Sequence, residues 1–167
     1  MPLAPEGVLR KFIKLNLTFF MKKIFATNEN SSATIIRIVL GLILFPHGAQ
    51  KLLGWFGGYG FDGTMGFLTG SVGLPWIIGF LVIIIEFFGA LALIFGFATR
   101  LVSIGLIALF AGIVFTGHLD NGFFMNWSGQ QKGEGYEYHL LVIGMALSLL
   151  VSGAGKWSAD YAIQKKI

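Results

Sequence analysis

Apolar and polar positions along this chain of 167 residues alternate in long blocks rather than in short periodic runs. Each apolar block is close to the roughly 20 residues that an α-helix needs to cross the hydrocarbon core of a bilayer. The blocks lie at residues 33–53, 74–98, 101–117 and 138–155. The third is short, but Gly117 and His118 can extend it. The pattern predicts an all-α fold, an integral membrane four-helix bundle at 33–155.

The connections between the predicted helices differ greatly in length. Only Thr99 and Arg100 separate the second span from the third, which predicts a tight antiparallel hairpin. Residues 54–73 and 118–137 instead form long loops in which glycines alternate with phenylalanine, tryptophan and tyrosine. Such aromatic rings favour the headgroup region of a membrane. We interpret most of them as an interfacial belt, with a lid over a ligand as the alternative.

Helical spacing predicts which faces of the first two spans point inward. At about 100° per residue, one face of the first span and one face of the second combine small residues with polar ones. The first face carries Arg37, Gly41, Leu44, Gly48 and Lys51, and the second carries Gly79, Ile83, Glu86 and Ala90. Small residues on both faces permit close helix packing.

The composition excludes a soluble domain. Hydrophobic residues make up 55% of the chain and charged residues only 12%, whereas a soluble domain carries roughly a quarter charged residues. The chain has no cysteine, so disulfides, thiolate metal sites and iron–sulfur clusters are excluded. Nor do we find a pair of haem ligands at facing helix positions.

The formal net charge of +4 is explained by membrane topology, because cytoplasmic segments carry an excess of lysine and arginine. With a cytoplasmic N-terminus, nine basic residues lie inside and two, Lys51 and Lys132, lie outside. The nine are Arg10, Lys11, Lys14, Lys22, Lys23, Arg100, Lys156, Lys165 and Lys166. We therefore expect both termini in the cytoplasm, a basic tail at 156–167, and no nucleic-acid partner.

Residues 1–32 form a leader before the first predicted span. Its first twenty residues are too interrupted by charge to be the core of a signal peptide. One interpretation is a disordered segment. The other is a basic amphipathic segment that lies on the inner leaflet.

A carboxylate, Glu86, stands near the middle of the second predicted span. At that depth a carboxylate costs about 3 kcal/mol on insertion scales, so we expect it to have a buried partner. With a rise of about 1.5 Å per residue, Glu86 and His47 lie about 18 and 21 Å from the inner boundary. Lys51, His118 and His139 follow at about 24–27 Å. Polar groups therefore converge in the outer half of the predicted bundle.

We expect His47 to be the first partner of Glu86 and Arg37 the second, because Arg37 lies only about 6 Å from the inner boundary. Pro46 leaves the carbonyl of Leu42 without its helical partner, and a kink there would make room for a ligand. Glu86 and His47 are the candidate catalytic residues. The candidate ligand-binding residues are Arg37, Lys51, His118, Glu137, His139 and Trp127.

Three interpretations of these polar residues stay open. They can form a structural network that fixes the helix register without any chemistry. They can also bind a small ligand such as a quinone headgroup. A metal site is disfavoured, because the three histidines and Glu137 lack the spacing of a ligand motif.

Several motifs, taken in their order, resemble the DoxX family of small four-helix membrane proteins. They are RIVLGLILFPHGAQKL at 37–52, GFDGTMGFL at 60–68, EFFGALALIFGFATR at 86–100, GYEYHLL at 135–141 and GAGKWSAD at 153–160. The polar positions of the family fall here on Arg37, His47, Lys51, Glu86, Arg100 and Glu137.

The resemblance implies a bundle in the inner membrane of a bacterium. Some family members are linked to thiosulfate:quinone oxidoreduction, and others to membrane complexes that handle oxidative or thiol stress. The expected function is therefore the membrane subunit of a quinone-linked oxidoreductase, with other membrane or soluble redox subunits as partners. The alternative is a non-catalytic accessory or assembly subunit of a larger membrane complex.

Overall fold

The computed structural model describes residues 6–167, and only the backbone at Glu6, Leu9 and Phe12. Over this range the chain is all-helical. Its α-helices are α1 (Glu6–Ile24), α2 (Ser31–Leu53), α3 (Gly60–Gly66), α4 (Trp76–Phe95), α5 (Thr99–Ile113), α6 (Glu137–Ser152) and α7 (Ala159–Gln164). A π-helical turn, Phe67–Ser71, continues α3, and another, Val114–His118, continues α5.

In the described range, three helical segments are long and apolar enough to cross a membrane: Ser31–Leu53, Trp76–Phe95 and Thr99–Asn121. They correspond to the first three predicted spans. The fourth prediction falls on α6, a shorter apolar helix of 16 residues. The predicted hairpin connection was misplaced by a few residues: α4 ends at Phe95, and Thr99 and Arg100 already belong to α5.

Helices α2, α4, α5 and α6 pack in a ring around one apolar core. The most extensive contacts join α2 to α4 and α5 to α6, and contacts of α4 with α5 and of α2 with α6 close the ring. The core is formed by fully buried side chains that include Leu40, Leu93, Leu106, Val142 and Leu149. Many large apolar side chains instead cover the outside of the ring, as expected of a surface that faces lipid.

Two glycines set the close approach of α2 to α4. A Cβ atom on Gly48 would lie 2.5 Å from the Cα atom of Phe87, and one on Gly41 would lie 2.8 Å from the carbonyl oxygen of Ala90. Contacts this short exclude any side chain at either position. Small residues on facing helices are the usual means of close packing in membranes. Here they bring the polar face of α2 against Glu86.

At one end of the ring, which we call the connection end, the 25–30 linker meets the 96–98 loop and the 153–158 turn. Arg100 Nε donates to the carbonyl of Ala26 at 2.8 Å, and the Thr27 amide donates to Gln164 Oε1 at 2.6 Å. Residues far apart in the sequence therefore join the 25–30 linker to α5 and to α7. The opposite end, which we call the cavity end, carries the long loops.

Asp160 caps α5 from a distance. The N-cap residue of α5, Ala98, has a positive φ and no capping side chain of its own. Asp160, which is 1% exposed, accepts the amide hydrogens of Ala98 at 2.6 Å and of Thr99 at 2.9 Å. Burial raises the pKa of Asp160, while these hydrogen bonds and the charge of Arg37 act in the opposite direction. A carboxylate at a helix N-terminus also interacts favourably with the helix dipole.

The described part of the leader is helical. Helix α1 occupies Glu6–Ile24, is mostly exposed and contacts α5, while residues 1–5 of the leader lie outside the described range. Helical spacing places four basic residues on one arc of α1 and most apolar residues on the other. The four are Arg10, Lys11, Lys14 and Lys22. Placement of α1 on a membrane leaflet stays a prediction.

Candidate functional site

The buried carboxylate Glu86 forms an ion pair with Lys51. Lys51 Nζ lies 2.6 Å from Glu86 Oε2, and Glu86 is 3% exposed. Neither His47 nor Arg37, the two expected partners, is hydrogen-bonded to Glu86 in the described chain. The prediction that Glu86 is paired inside the helical ring is confirmed, but the predicted identity of the partner was wrong.

The direction of side chains on a helix explains why Lys51 is the partner. Side chains of an α-helix lean toward its N-terminus, so a long side chain one turn beyond His47 reaches back to the depth of Glu86. Gly48 lets the two helices approach closely enough for that contact. His47 lies to the side, exposed on the rim of the same site.

Arg37 is held at the connection end. Its guanidinium donates to backbone carbonyls at the end of α4 and in the turn after α6. Nε lies 2.8 Å from the carbonyl of Ala154, and Nη2 lies 2.7 Å from that of Trp157. Lys51 is about 21 Å away from Arg37 along the axis of α2, from the helical rise. The expectation that Arg37 contributes to the outer polar site is therefore corrected.

A cavity of about 580 Å³ opens between α2, α4, α5 and α6 at the cavity end. Its wall is largely apolar and includes Leu44, Val82 and Phe110. Into it converge polar side chains, namely His47, Lys51, Glu86, Thr116, His118, Tyr138 and His139. The structure thus places together five of the eight predicted site residues: His47, Lys51, Glu86, His118 and His139.

Both π-helical turns contribute to the cavity wall. Phe67 begins the first turn and His118 ends the second, and both residues line the cavity. A π-helical turn shifts the following side chains relative to a regular helix and is frequent at functional sites. On the far side of Lys51 and Phe67, a second cavity of about 560 Å³ is lined by residues of the first long loop, including Tyr59 and Thr64.

Two imidazoles meet in the wall of the first cavity. The ring centroids of His118 and His139 are 4.2 Å apart. His118 Nδ1 lies 2.8 Å from the carbonyl oxygen of Glu134, which ties the histidine to the second long loop. His139 is buried against Phe110, with 5.8 Å between ring centroids.

The remaining two predicted site residues form a pair outside the cavity wall. Trp127 Nε1 donates to Glu137 Oε1 at 3.2 Å, and Trp127 is 86% exposed. This contact lies at the start of α6, above the cavity. It joins the second long loop to the helix.

Sequence reasoning placed Tyr138 at the start of the fourth span and did not count it among the site residues, whereas the structure places it in the cavity wall. Helical spacing could have indicated that Tyr138 faces inward, because Tyr138 and His139 lie one turn before the buried Val142. Among residues 6–167, no group of three or more potential ligands is arranged to hold a metal ion.

Comparison with known proteins places these residues in a family. The sequence matches the DoxX family over residues 32–119, which cover α2 from its second residue and the whole of α4 and α5, and carry Lys51, Glu86 and His118. The chain belongs to the DoxX family. The match ends before α6, so Tyr138 and His139 lie beyond it.

Two curated relatives are similar over most of this DoxX chain. A Bacillus subtilis (strain 168) protein named "Putative oxidoreductase CatD" is 30% identical over 69% of this chain and 75% of its own length. An Escherichia coli (strain K12) protein named "Inner membrane protein YqjF" is 30% identical over 87% of this chain and 99% of its own length. No solved structure matches the chain.

The ion pair predicts that substitutions of Lys51 and Glu86 have non-additive effects on the free energy of unfolding. Replacing Lys51 by methionine should lower the free energy of unfolding by about 2 kcal/mol, because Glu86 is left as an unpaired buried charge. The partial exposure of the lysine side chain, 29%, makes this less than for a fully buried pair. In SDS titrations of the purified protein, the double variant Lys51→Met/Glu86→Gln should recover most of the loss. Additive single and double effects would contradict the pairing.

Proposed function

We propose that this chain is the membrane-spanning subunit of a quinone-linked oxidoreductase in the inner membrane of a bacterium. The observation that carries the proposal is the cavity with apolar walls and an ion pair between Lys51 and the buried Glu86. Binding sites for small molecules are typically concave and mostly apolar, with a few convergent polar groups, and occupy about 300–1,000 Å³. The relative named as an oxidoreductase supports this reading, as does the relative named as an inner membrane protein.

The residues around the cavity suit a quinone as substrate. Leu44, Val82 and Phe110 offer apolar surface to a ring. Lys51 can donate a hydrogen bond to a ring oxygen, and three imidazoles lie within the same wall. His47 lies on the rim of the cavity and is exposed. It therefore stands between the Lys51–Glu86 ion pair and the exterior of the helix ring.

Reduction of a quinone to a quinol takes up two electrons and two protons. In this chain Glu86 is the group that holds or returns a proton. Its Oε2 accepts a hydrogen bond from Lys51 Nζ, and its Oε1 forms no hydrogen bond in the described range. Lys51 balances the charge of the carboxylate. His47 exchanges protons with the outer surface. The electrons come from another membrane or soluble redox subunit.

Glu86→Gln separates this function from the alternative of an assembly subunit. We expect a folded, inserted variant whose quinone-dependent turnover in membrane vesicles is reduced about 100-fold, the loss typical of a proton-transfer group. Glu29→Gln, at the connection end, is the matched control and should keep full turnover. If Glu86→Gln loses assembly while the remaining complex turns over normally, the accessory role is correct and the catalytic proposal fails.

We further propose that α2, α4, α5 and α6 all cross the bilayer, with the connection end in the cytoplasm. The charge bias of nine basic residues to two supports this orientation. So does the packing of the α2 start, the 96–98 loop and the 153–158 turn at one end, where Arg100 and Lys156 lie.

Cysteine labelling tests the orientation. Single cysteines at Ser71 and Ser128 should react with an impermeant maleimide in whole spheroplasts, and one at Lys166 should react only after permeabilisation. All three positions are exposed, so burial does not limit the reaction. The reverse labelling pattern would show that the orientation is opposite to the one proposed.

A further inference from the structure

Two polar atoms, on neighbouring residues of the cavity wall, lack a partner. Tyr138 Oη and His139 Nδ1 are buried and form no hydrogen bond in the described chain. His139 is 7% exposed, and both residues line the cavity. Roughly 90% or more of buried polar groups in proteins are hydrogen-bonded, so two exceptions on neighbouring residues of one wall call for an explanation.

The two rings are held in position by other aromatic side chains. Phe110 contacts both, with ring centroids 6.3 Å from Tyr138 and 5.8 Å from His139. His118 stacks at a tilt on His139 from the other side. These contacts pack both rings among other aromatic rings of the cavity wall, where no protein atom is a partner of Tyr138 Oη or His139 Nδ1.

The unpartnered atoms belong to the helix that lies diagonally opposite the helix of Glu86 and beside the helix of Lys51. Contacts close the ring in the order α2, α4, α5, α6, which puts α6 diagonally opposite α4. Tyr138 and His139 belong to α6, and Glu86 belongs to α4. Between these two polar walls, the cavity is bounded by apolar side chains such as Leu44 and Val82.

We propose that Tyr138 and His139 bind one end of the ligand while the Lys51–Glu86 pair binds the other. The site would thus select a planar ring with hydrogen-bonding oxygens at two opposite positions, as in a 1,4-quinone or its quinol. This inference rests on the proposed quinone function and adds the second anchor. An apolar ring fills the middle of the cavity, and each polar wall receives one oxygen.

The Tyr138→Phe variant gives the sharpest test, because it removes one hydroxyl oxygen that has no partner in the protein. Its stability should equal or exceed that of the wild type, since no internal hydrogen bond is lost. Its affinity for a short-chain 1,4-benzoquinone should fall about fivefold, the equivalent of one neutral hydrogen bond. Tyr136→Phe is the matched control: that residue lies two positions earlier and outside the cavity wall.

A ligand with one oxygen tests the two-ended recognition. In titrations followed by intrinsic fluorescence, the wild type should bind the benzoquinone at least about fivefold more tightly than an alkylphenol of equal chain length. The double variant Tyr138→Phe/His139→Phe, which keeps both aromatic rings, should lose most of this preference.

The outcomes separate the two levels of the proposal. A wild type that binds no quinone overturns both the proposed function and the second anchor. A wild type that binds quinone while both Tyr138→Phe and the double variant bind it unchanged overturns only the second anchor. In that case the quinone function stands, and the two atoms take no part in binding the ligand.

Discussion

Replacing Arg37 by methionine is expected to lower the free energy of unfolding by about 4 kcal/mol. Arg37 is 1% exposed and donates to carbonyls of Leu93 and Ala154, among others. Methionine fills a similar volume but leaves the carbonyls of Ala154 and Trp157 without a donor. It also removes the charge that favours the buried carboxylate of Asp160. The loss should appear as a lower midpoint in SDS titrations and as poor accumulation in the membrane.

Two further substitutions give this prediction its controls. Arg10→Met, on the exposed side of α1, should leave the titration midpoint unchanged. Arg37→Lys should recover only part of the lost stability, because an ammonium lacks the planar fork that serves carbonyls in several directions. A methionine variant as stable as the wild type would show that the network at the connection end contributes little.

Replacing Gly48 by alanine is expected to cost about 3 kcal/mol. The new methyl group would lie 2.5–2.7 Å from backbone atoms of Glu86 and Phe87, which cannot move aside as a flexible side chain can. Helices α2 and α4 would have to separate along their contact, and such overpacking typically costs about 1–3 kcal/mol. Their separation would also lengthen the Lys51–Glu86 contact, so the variant should lose ligand binding as well as stability.

Gly144 provides the matched control for Gly48. It is also inside a helix, α6, but no atom lies within 4 Å of a Cβ added there. Gly144→Ala should therefore raise stability by up to about 1 kcal/mol through helix propensity. The same substitution is thus expected to have opposite signs at the two positions. Equal effects would mean that the close approach of α2 and α4 is not required by the fold.

The sequence alone determined the helical class, the apolar segments and the inward faces of two helices. Gly41, Leu44 and Gly48, predicted on one face of α2, are all buried, as are Gly79 and Glu86 on α4. These features follow from the length of apolar runs and the helical repeat, both of which are local properties. The convergence of Glu86 with histidines was also predictable, because helix rise converts sequence position into depth.

Partners across the helices were decided by tertiary structure. The sequence indicated His47 first and Arg37 second as the partner of Glu86, and not Lys51. Depth was estimated at the Cα atom, which ignores the length and direction of the side chain. A lysine side chain reaches back by about one helical turn, so the residue that seemed too far out makes the contact. Arg37 instead donates hydrogen bonds to backbone carbonyls, and no pattern in the sequence predicts which carbonyls accept them.

Contacts between residues that are far apart in the sequence were the least predictable. Asp160 caps a helix that begins 61 residues earlier, and Tyr138, at the start of α6, joins the cavity wall. Both depend on how α6 and α7 dock against the rest of the chain, which local periodicity does not encode. The sequence therefore determined the helices and the depth of their polar groups. Only the packing of those helices decided which polar groups pair with each other and which face the cavity.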